Sequence, residues 1–160
     1  MTHKVIKCLM IGGIVTLSSV LATAAEPAPV KAAPKTEVRA VLDQIFTAMR
    51  AGNGAAMSDL ILPNAPLDRI TPGKAIHHGK VSDWIDWVDS LNPGQADEQI
   101  FDVKINVEGP LAAAWAPFTI ALDGELKSCG VNQFTLVKTD GSWKVAYLID
   151  THTPDKCLSK

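Results

Sequence analysis

The sequence lacks basic clusters and long apolar runs. Its 15 Lys and Arg residues are balanced by 17 Asp and Glu residues, which gives a formal net charge of −2, and no basic stretch lies outside the first few residues. The protein therefore has little positive electrostatic potential to attract the phosphate backbone of a nucleic acid, and nucleic acid is not an expected partner. A hydrophobic content of 47% in 160 residues fits one folded domain and argues against extensive disorder.

The sequence also lacks the local motifs of nucleotide, metal and nucleophile sites. It contains no Gly-rich phosphate loop, no nucleophile elbow with a Ser-His-Asp order and no H-E-x-x-H motif. His77 and His78 are adjacent, but no third ligand lies at a diagnostic spacing, so we interpret them as a solvated pair in a loop. We therefore expect no metal and no cofactor.

The N-terminal segment has the pattern of a secretory signal peptide. Lys4 and Lys7 precede a mostly apolar run from Cys8 to Ala22, and the run ends in the small residues Ala22-Thr23-Ala24. The alternative is an uncleaved membrane anchor, but the apolar part is shorter than the ~20 residues that a spanning helix needs. The small-x-small ending favours cleavage after residue 24. We therefore expect a protein secreted into the periplasm, without membrane attachment once residues 1–24 are removed.

The remaining chain divides into a linker and a domain that contains two cysteines. Residues 25–35 hold three prolines and little to bury, which predicts an extended linker before a domain over residues 36–160. In an oxidising compartment Cys129 and Cys157 would form one disulfide. A disulfide that closes the loop between these two cysteines would stabilise the fold by roughly 3.5 kcal/mol on the chain-entropy model. The alternative is two buried free thiols; a thiol enzyme is disfavoured because no C-x-x-C motif is present.

The apolar spacing predicts helices in the first half of the domain. A stripe of helical period predicts a helix that begins at Glu37, is capped by Thr36 and ends at Gly52. A short strand is predicted at Leu67–Thr71. Two further helices are predicted at Ala55–Leu62 and, capped by Ser82, at Asp83–Leu91.

From Phe101 onward the apolar period changes to two, which predicts antiparallel strands joined by tight turns. Pro117 has no backbone N–H to donate to a neighbouring strand, so it marks a bulge or a locally unpaired edge. Helices followed by a long meander predict an α+β domain whose curved sheet wraps the helices and leaves a hollow for a small molecule. The predicted strands are Phe101–Val107, Ala112–Leu122, Val131–Lys138 and Trp143–Thr151.

The end of the chain contains Cys129-Gly130, the phrase Asp140-Gly141-Ser142-Trp143-Lys144-Val145, Asp150-Thr151 and Cys157. In these residues the sequence resembles the nuclear transport factor 2-like superfamily, including its polyketide cyclase-like and lumazine-binding-like groups. Secreted bacterial members often carry a similar cysteine pair, in agreement with the expected disulfide, and frequently have His where this sequence has Ser128. The resemblance covers Thr36 to Cys157. It implies a cone-shaped fold of about six strands and about three helices, commonly a homodimer through the sheet, without implying one activity.

An isomerase of this fold needs a carboxylate base in a dry pocket and donors that stabilise an enolate. Asp150 and His152 share a face of the last predicted strand and are close enough to pair, and Asp43 lies beside the apolar stripe of the first helix. Each has an ordinary alternative, because charged groups at strand ends and on helix flanks usually meet water.

Other candidates concern ligand binding. Arg69 could enter the cavity and hold an anionic ligand, or pair with Asp68 or another surface acid. Trp84 and Trp115 are candidates for the cavity mouth, where they would suit a planar ligand, with structural packing as the alternative. The only tyrosine, Tyr147, is predicted to lie in the core.

The leading hypothesis is a secreted domain that binds a small apolar or aromatic molecule, or that serves as a scaffold. The alternative is a metal-independent isomerase or cyclase that uses a pocket carboxylate as general base. A carboxylate buried in the cavity with a raised pKa would favour the enzyme, whereas a wall of only apolar and amide groups would exclude it. A third hypothesis is an interaction module in which the exposed sheet face joins two copies.

Overall fold

The computed structural model describes residues 33–158. The predicted signal peptide and most of the predicted linker therefore lie outside the described residues. In chain order the elements are α1 (Pro34–Arg50), α2 (Gly54–Ser58), β1 (Pro66–Ile70), β2 (His77–Lys80), α3 (Val81–Asp89), β3 (Ala96–Ile100), β4 (Lys104–Glu108), β5 (Leu111–Leu122), β6 (Glu125–Thr139), β7 (Ser142–His152) and α4 (Asp155–Leu158).

The described strands form one sheet with the order β2-β1-β7-β6-β5-β3, and β4 also pairs with β5. All pairs are antiparallel except β1 with β7, which is parallel. Two-residue turns at Asp123-Gly124 and Asp140-Gly141 join the three long strands, and all four residues have the positive φ that such turns require. The α+β fold class and the hairpin order predicted from the sequence are confirmed.

The predicted strand that begins at Phe101 is wrong in detail, because two strands, β3 and β4, lie along the same edge of β5. Pro117 lies where the pairing changes from one to the other, and its carbonyl accepts a hydrogen bond from the Phe101 amide at 3.0 Å. A proline has no amide hydrogen to donate, so neither strand continues past it. The locally unpaired edge predicted at Pro117 is thus present. The pairing of β5 with β6 is irregular at a different place, between Ile120 and Ala121.

Four further local predictions differ from the structure. Ser82 lies within α3 and does not cap it, because the helix begins at Val81 with Lys80 as the N-cap residue. α1 begins at Pro34, which needs no hydrogen-bond acceptor in the first turn, so Thr36 is not its cap. The second helix is shorter than predicted, because Ile61 leaves it to form a parallel bridge with Val145. His77 and His78 belong to β2 rather than to a loop; this edge strand lacks the apolar alternation that would have predicted it.

The core lies between α1 and the inner face of the sheet, defined as the face that packs against the helices. Phe46 of α1 meets Phe134 of β6 edge to face, with ring centroids 6.2 Å apart. Both rings are nearly or fully buried, as are Leu42 and Ile45. Burial of such side chains, each contributing about 1.5–3 kcal/mol, supplies the main stabilisation of the domain.

The predicted disulfide is present and joins Cys129 of β6 to Cys157 of α4. The Thr153 amide also donates to the Cys129 carbonyl at 2.8 Å. The C-terminal turn is therefore attached to the sheet at one end of β6, beside Ser128.

Candidate functional site

A cavity of about 430 Å³ lies between α1, α3 and the inner face of the sheet. Its size is within the range of small-molecule sites. Most of the surface of its wall is apolar, and polar side chains supply the rest. The apolar lining is Met49, Leu67, Trp84, Trp87, Ile120, Leu122 and Leu148, and the polar lining includes Arg69, His77, Lys80, Asp83, Glu98, Lys127, Ser128, Asn132, Asp150 and His152.

A register shift in β7 determines which of its side chains enter this cavity. Leu136 of β6 is opposite Val145, but the preceding residue, Thr135, is opposite Tyr147, so Ala146 is an extra residue on β7. The extra residue inverts the alternation of faces beyond it. Tyr147 therefore lies on the outer face, contrary to the prediction, and its hydroxyl donates to Asp68 Oδ2 at 2.8 Å.

Beyond the shift, Asp150 points into the cavity and forms a two-point ion pair with Arg69. Arg69 Nε lies 2.9 Å from Oδ1 and Nη2 lies 2.6 Å from Oδ2. Burial alone would raise the pKa of Asp150, but hydrogen bonds from His152 and Arg69 outweigh burial and hold it below its usual value. Both oxygens of Asp150 are thus engaged, which makes it a poor free base. Arg69 is likewise committed to Asp150 rather than available to an anionic ligand.

His152 lies on the same face of β7 and completes this polar group. Its Nδ1 is 3.1 Å from Ser128 Oγ, and its Nε2 is 3.5 Å from Asp150 Oδ2. Its ring packs against Phe118 with centroids 5.3 Å apart. His152 can exchange a proton at either ring nitrogen, and its neighbours fix its orientation in the cavity.

Glu98 was not among the residues predicted for the site, although its pKa is the most strongly shifted of the acids there. The side chain points inward from β3, is 8% exposed, and accepts a hydrogen bond from Asn132 Nδ2 at 2.6 Å on Oε1. Burial raises the pKa of Glu98 to about 8, the hydrogen bond from Asn132 opposes the shift, and the nearby Asp150 carboxylate adds to it. Glu98 is therefore mainly a neutral acid at pH 7.

Of the candidate residues Trp84, Trp115 and Asp43, only Trp84 lines the cavity. Trp84 lines the cavity and packs near Phe46, with centroids 6.4 Å apart. Trp115 does not line it: β5 directs this side chain to the outer face, where it is 51% exposed. Asp43 also lies outside the cavity, since it is exposed on α1 and pairs with Arg39 at 2.8 Å. The prediction that Trp115 lies in the pocket is thus wrong, whereas Asp43 fits the alternative of an ordinary exposed acid on the flank of α1.

Within residues 33–158, no group of three or more His, Cys, Asp or Glu side chains is placed to hold a metal ion. Glu98 can donate or accept a proton, His152 can do the same, and Asn132 and Ser128 can orient a polar substituent.

Comparison with solved structures shows where this fold recurs. An NTF2-like protein of unknown function from Shewanella baltica is 19% identical, with a TM-score of 0.58 over 78% of this chain and 99% of that one. A "putative dehydratase from the NTF2-like family" of Streptomyces avermitilis is 18% identical, with a TM-score of 0.61 over 76% and 99%. The S. rosetta CaMKII hub is 19% identical, with a TM-score of 0.61 over 78% and 100%. At these identities the likeness shows the fold alone.

A search of the curated proteins finds no match to the sequence. The family model described as "Putative lumazine-binding" matches residues 33–147, which is most of the chain. The resemblance inferred from the Cys-Gly and Asp-Gly-Ser-Trp residues is therefore confirmed: the chain belongs to the family with this description, and it has the fold of the NTF2-like structures.

Proposed function

We propose that this domain binds a small, planar and largely apolar molecule in the cavity, with its ring system against Trp84. The supporting observation is the combination of about 430 Å³ of space, a mainly apolar wall surface, and polar groups that converge around Asp150 at one end. Ligand sites generally have this composition, because apolar contact supplies affinity and a few polar contacts supply orientation.

Two tryptophans provide a matched test of this function. Trp84 lines the cavity, whereas Trp115 is on the outer face. We expect calorimetric titration with naphthalene to show binding that Trp84→Leu weakens about tenfold and that Trp115→Leu leaves unchanged. No binding to the wild type, or equal effects of the two substitutions, would contradict the proposal and favour a scaffold without a ligand.

Glu98 favours a second candidate, an acid–base enzyme of the isomerase or cyclase type. It is the buried cavity carboxyl with a raised pKa that this alternative requires. Asp150 is the weaker base because Arg69 holds it, so we assign proton abstraction to His152 and proton donation to Glu98. The relative described as a dehydratase is compatible with this chemistry without favouring it.

Proton exchange tests the enzymatic candidate without knowledge of the substrate. 2-Tetralone is an enolisable bicyclic ketone with one aromatic ring, and its α-hydrogens can be followed by NMR in deuterated buffer. The enzyme hypothesis predicts exchange above the buffer rate, with a loss of about 100-fold or more in His152→Ala. Exchange at the buffer rate with 2-tetralone bound would support binding alone.

We also propose that the outer face of the sheet joins two copies of the chain. Leu111 and Trp115 are each 51% exposed on this face. Exposed apolar side chains of this size are typical of association surfaces. Light scattering should give a dimer mass that Trp115→Glu converts to a monomer mass. Ile76→Glu, at an equally exposed apolar residue outside the sheet, is the control, and a monomeric wild type would exclude the proposal.

We further propose that the protein is secreted into the periplasm. The signal-like pattern of residues 1–24 and the Cys129–Cys157 disulfide both support this location. Among residues 33–158, the helices lack the length and apolar character of a membrane span. The intact mass of protein from a periplasmic fraction should show loss of residues 1–24 and a gain of two hydrogens on reduction; retention of residues 1–24 would contradict it.

A further inference from the structure

The hydrogen bond between Glu98 and Asn132 leaves one polar atom of each side chain free at the polar end of the cavity. The bond uses Asn132 Nδ2 and Glu98 Oε1, and among the described residues no hydrogen bond reaches Glu98 Oε2 or Asn132 Oδ1. Neither atom is sealed from solvent, because every fully buried side-chain N or O in residues 33–158 has a partner. Both side chains are nevertheless more than nine-tenths buried and line the cavity.

The surroundings determine the hydrogen-bonding character of these two atoms. Arg69 is occupied by Asp150, and no other cation of the described residues pairs with Glu98. A buried carboxyl without a cation is more stable as the neutral acid, in agreement with its raised pKa. Since Oε1 accepts from Asn132, the acid proton resides on Oε2. Glu98 then offers one O–H donor, and Asn132 Oδ1 offers one carbonyl acceptor.

The same surroundings disfavour a charged ligand at this end of the cavity. Asp150 remains ionised beside Glu98, so an incoming carboxylate would meet a like charge whose counter-ion is already engaged. A neutral group that accepts one hydrogen bond and donates another can satisfy both free atoms without adding charge.

We propose that the cavity selects planar rings that carry an adjacent C=O and N–H, that is, a lactam, with the carbonyl accepting from Glu98 and the N–H donating to Asn132. The lactam preference rests on the proposed binding of a small molecule in this cavity. It specifies the chemical class of that molecule, and it reassigns recognition from Arg69 to two residues of β3 and β6.

Four bicyclic probes of similar size separate the possibilities by calorimetric titration at pH 7. They are 2-quinolone, which has the lactam; 1-methyl-2-quinolone, which lacks the N–H; naphthalene, which lacks both groups; and 2-naphthoate, which is an anion. We expect 2-quinolone to bind about tenfold more tightly than each of the other three.

Two variants assign the preference to the named side chains. Asn132→Leu should bind 2-quinolone and 1-methyl-2-quinolone equally while still binding naphthalene, which shows that the cavity is intact. Glu98→Gln, whose amide can still donate, should keep most of the preference, whereas Glu98→Leu should lose it. If a variant fails to fold, the four probes on the wild type still decide the result.

Each pattern of affinities has a distinct meaning. Equal binding of 2-quinolone, 1-methyl-2-quinolone and naphthalene would overturn the lactam inference but leave the proposed function in place. Tighter binding of 2-naphthoate would overturn it in favour of anion recognition. Absence of binding by all four probes would overturn both the inference and the proposed function.

Discussion

The titration of Glu98 should dominate the dependence of stability on pH near neutrality. The pKa of Glu98 is about 8 in the folded protein, against 4.5 for an ordinary glutamate. Between these values the unfolded chain has lost the proton and the folded protein retains it. The folded state therefore binds more protons, and the free energy of unfolding falls as the pH rises. The difference between the two pKa values corresponds to roughly 5 kcal/mol of unfolding free energy. Roughly 2 to 3 kcal/mol of this is lost between pH 5 and pH 7.

Glu98→Gln isolates this effect because it keeps the shape and removes the proton equilibrium. Urea denaturation at pH 5, 6, 7 and 8 should show the wild type losing stability relative to the variant, so that the variant is the more stable of the two at pH 8. Asp150, Arg69 and His152 face the same region and are present in both proteins, so their contributions largely cancel in the difference. Parallel stability curves from pH 5 to pH 8 would refute the assignment of a neutral, buried Glu98.

Three other substitutions test the structure around the site, each by urea denaturation at pH 7. Arg69→Met should cost about 1–3 kcal/mol by leaving the charged Asp150 without its guanidinium partner, toward the lower end because the Arg69 side chain is 42% exposed and His152 still contacts Asp150. Since the pKa of Asp150 is lowered in the folded state, this cost should shrink as the pH falls below 4; a cost that persists there would contradict the ion pair. Cys129→Ser should cost about 3.5 kcal/mol by removing the disulfide, and no loss would indicate free thiols. Gly130→Ala should cost more than about 3 kcal/mol, because its Cβ would lie 1.7 Å from the Thr151 carbonyl oxygen; a loss below 1 kcal/mol would contradict the close approach of β6 and β7 there.

The elements that the sequence predicted correctly are those specified by neighbouring residues. The turn at Asp123-Gly124 requires positive φ at two successive positions, which Asp and Gly tolerate, and it places Leu122 opposite Glu125. The stripe on α1 similarly depends only on the helical period of its own apolar residues, and Leu42 and Ile45 are indeed buried. Such signals are local, so one sequence is enough to recover them.

The inward face of β7 could not be predicted in the same way. Trp143, Val145 and Tyr147 form a regular alternation that predicts one continuous core face. The extra residue at Ala146 is visible only in the pairing with β6, where Leu136 and Thr135 meet residues two positions apart. A shift of one residue exchanges the two faces of a strand. This shift is why Asp150 and His152 reach the cavity and Tyr147 does not.

Glu98 was missed because pattern analysis assigns acids to the solvent side. The sequence of β3, Ala96-Asp97-Glu98-Gln99-Ile100, has too few apolar residues to predict a half-buried strand. Its inward face is defined only by pairing with β5, which places Glu98 opposite Ile120. Burial of this acid is tolerated because the neutral form avoids the cost of a buried charge and Asn132 supplies a hydrogen bond. A polar residue that is buried against the pattern, with one polar atom still free, is therefore better evidence for a ligand contact here than any acid whose oxygens are already paired.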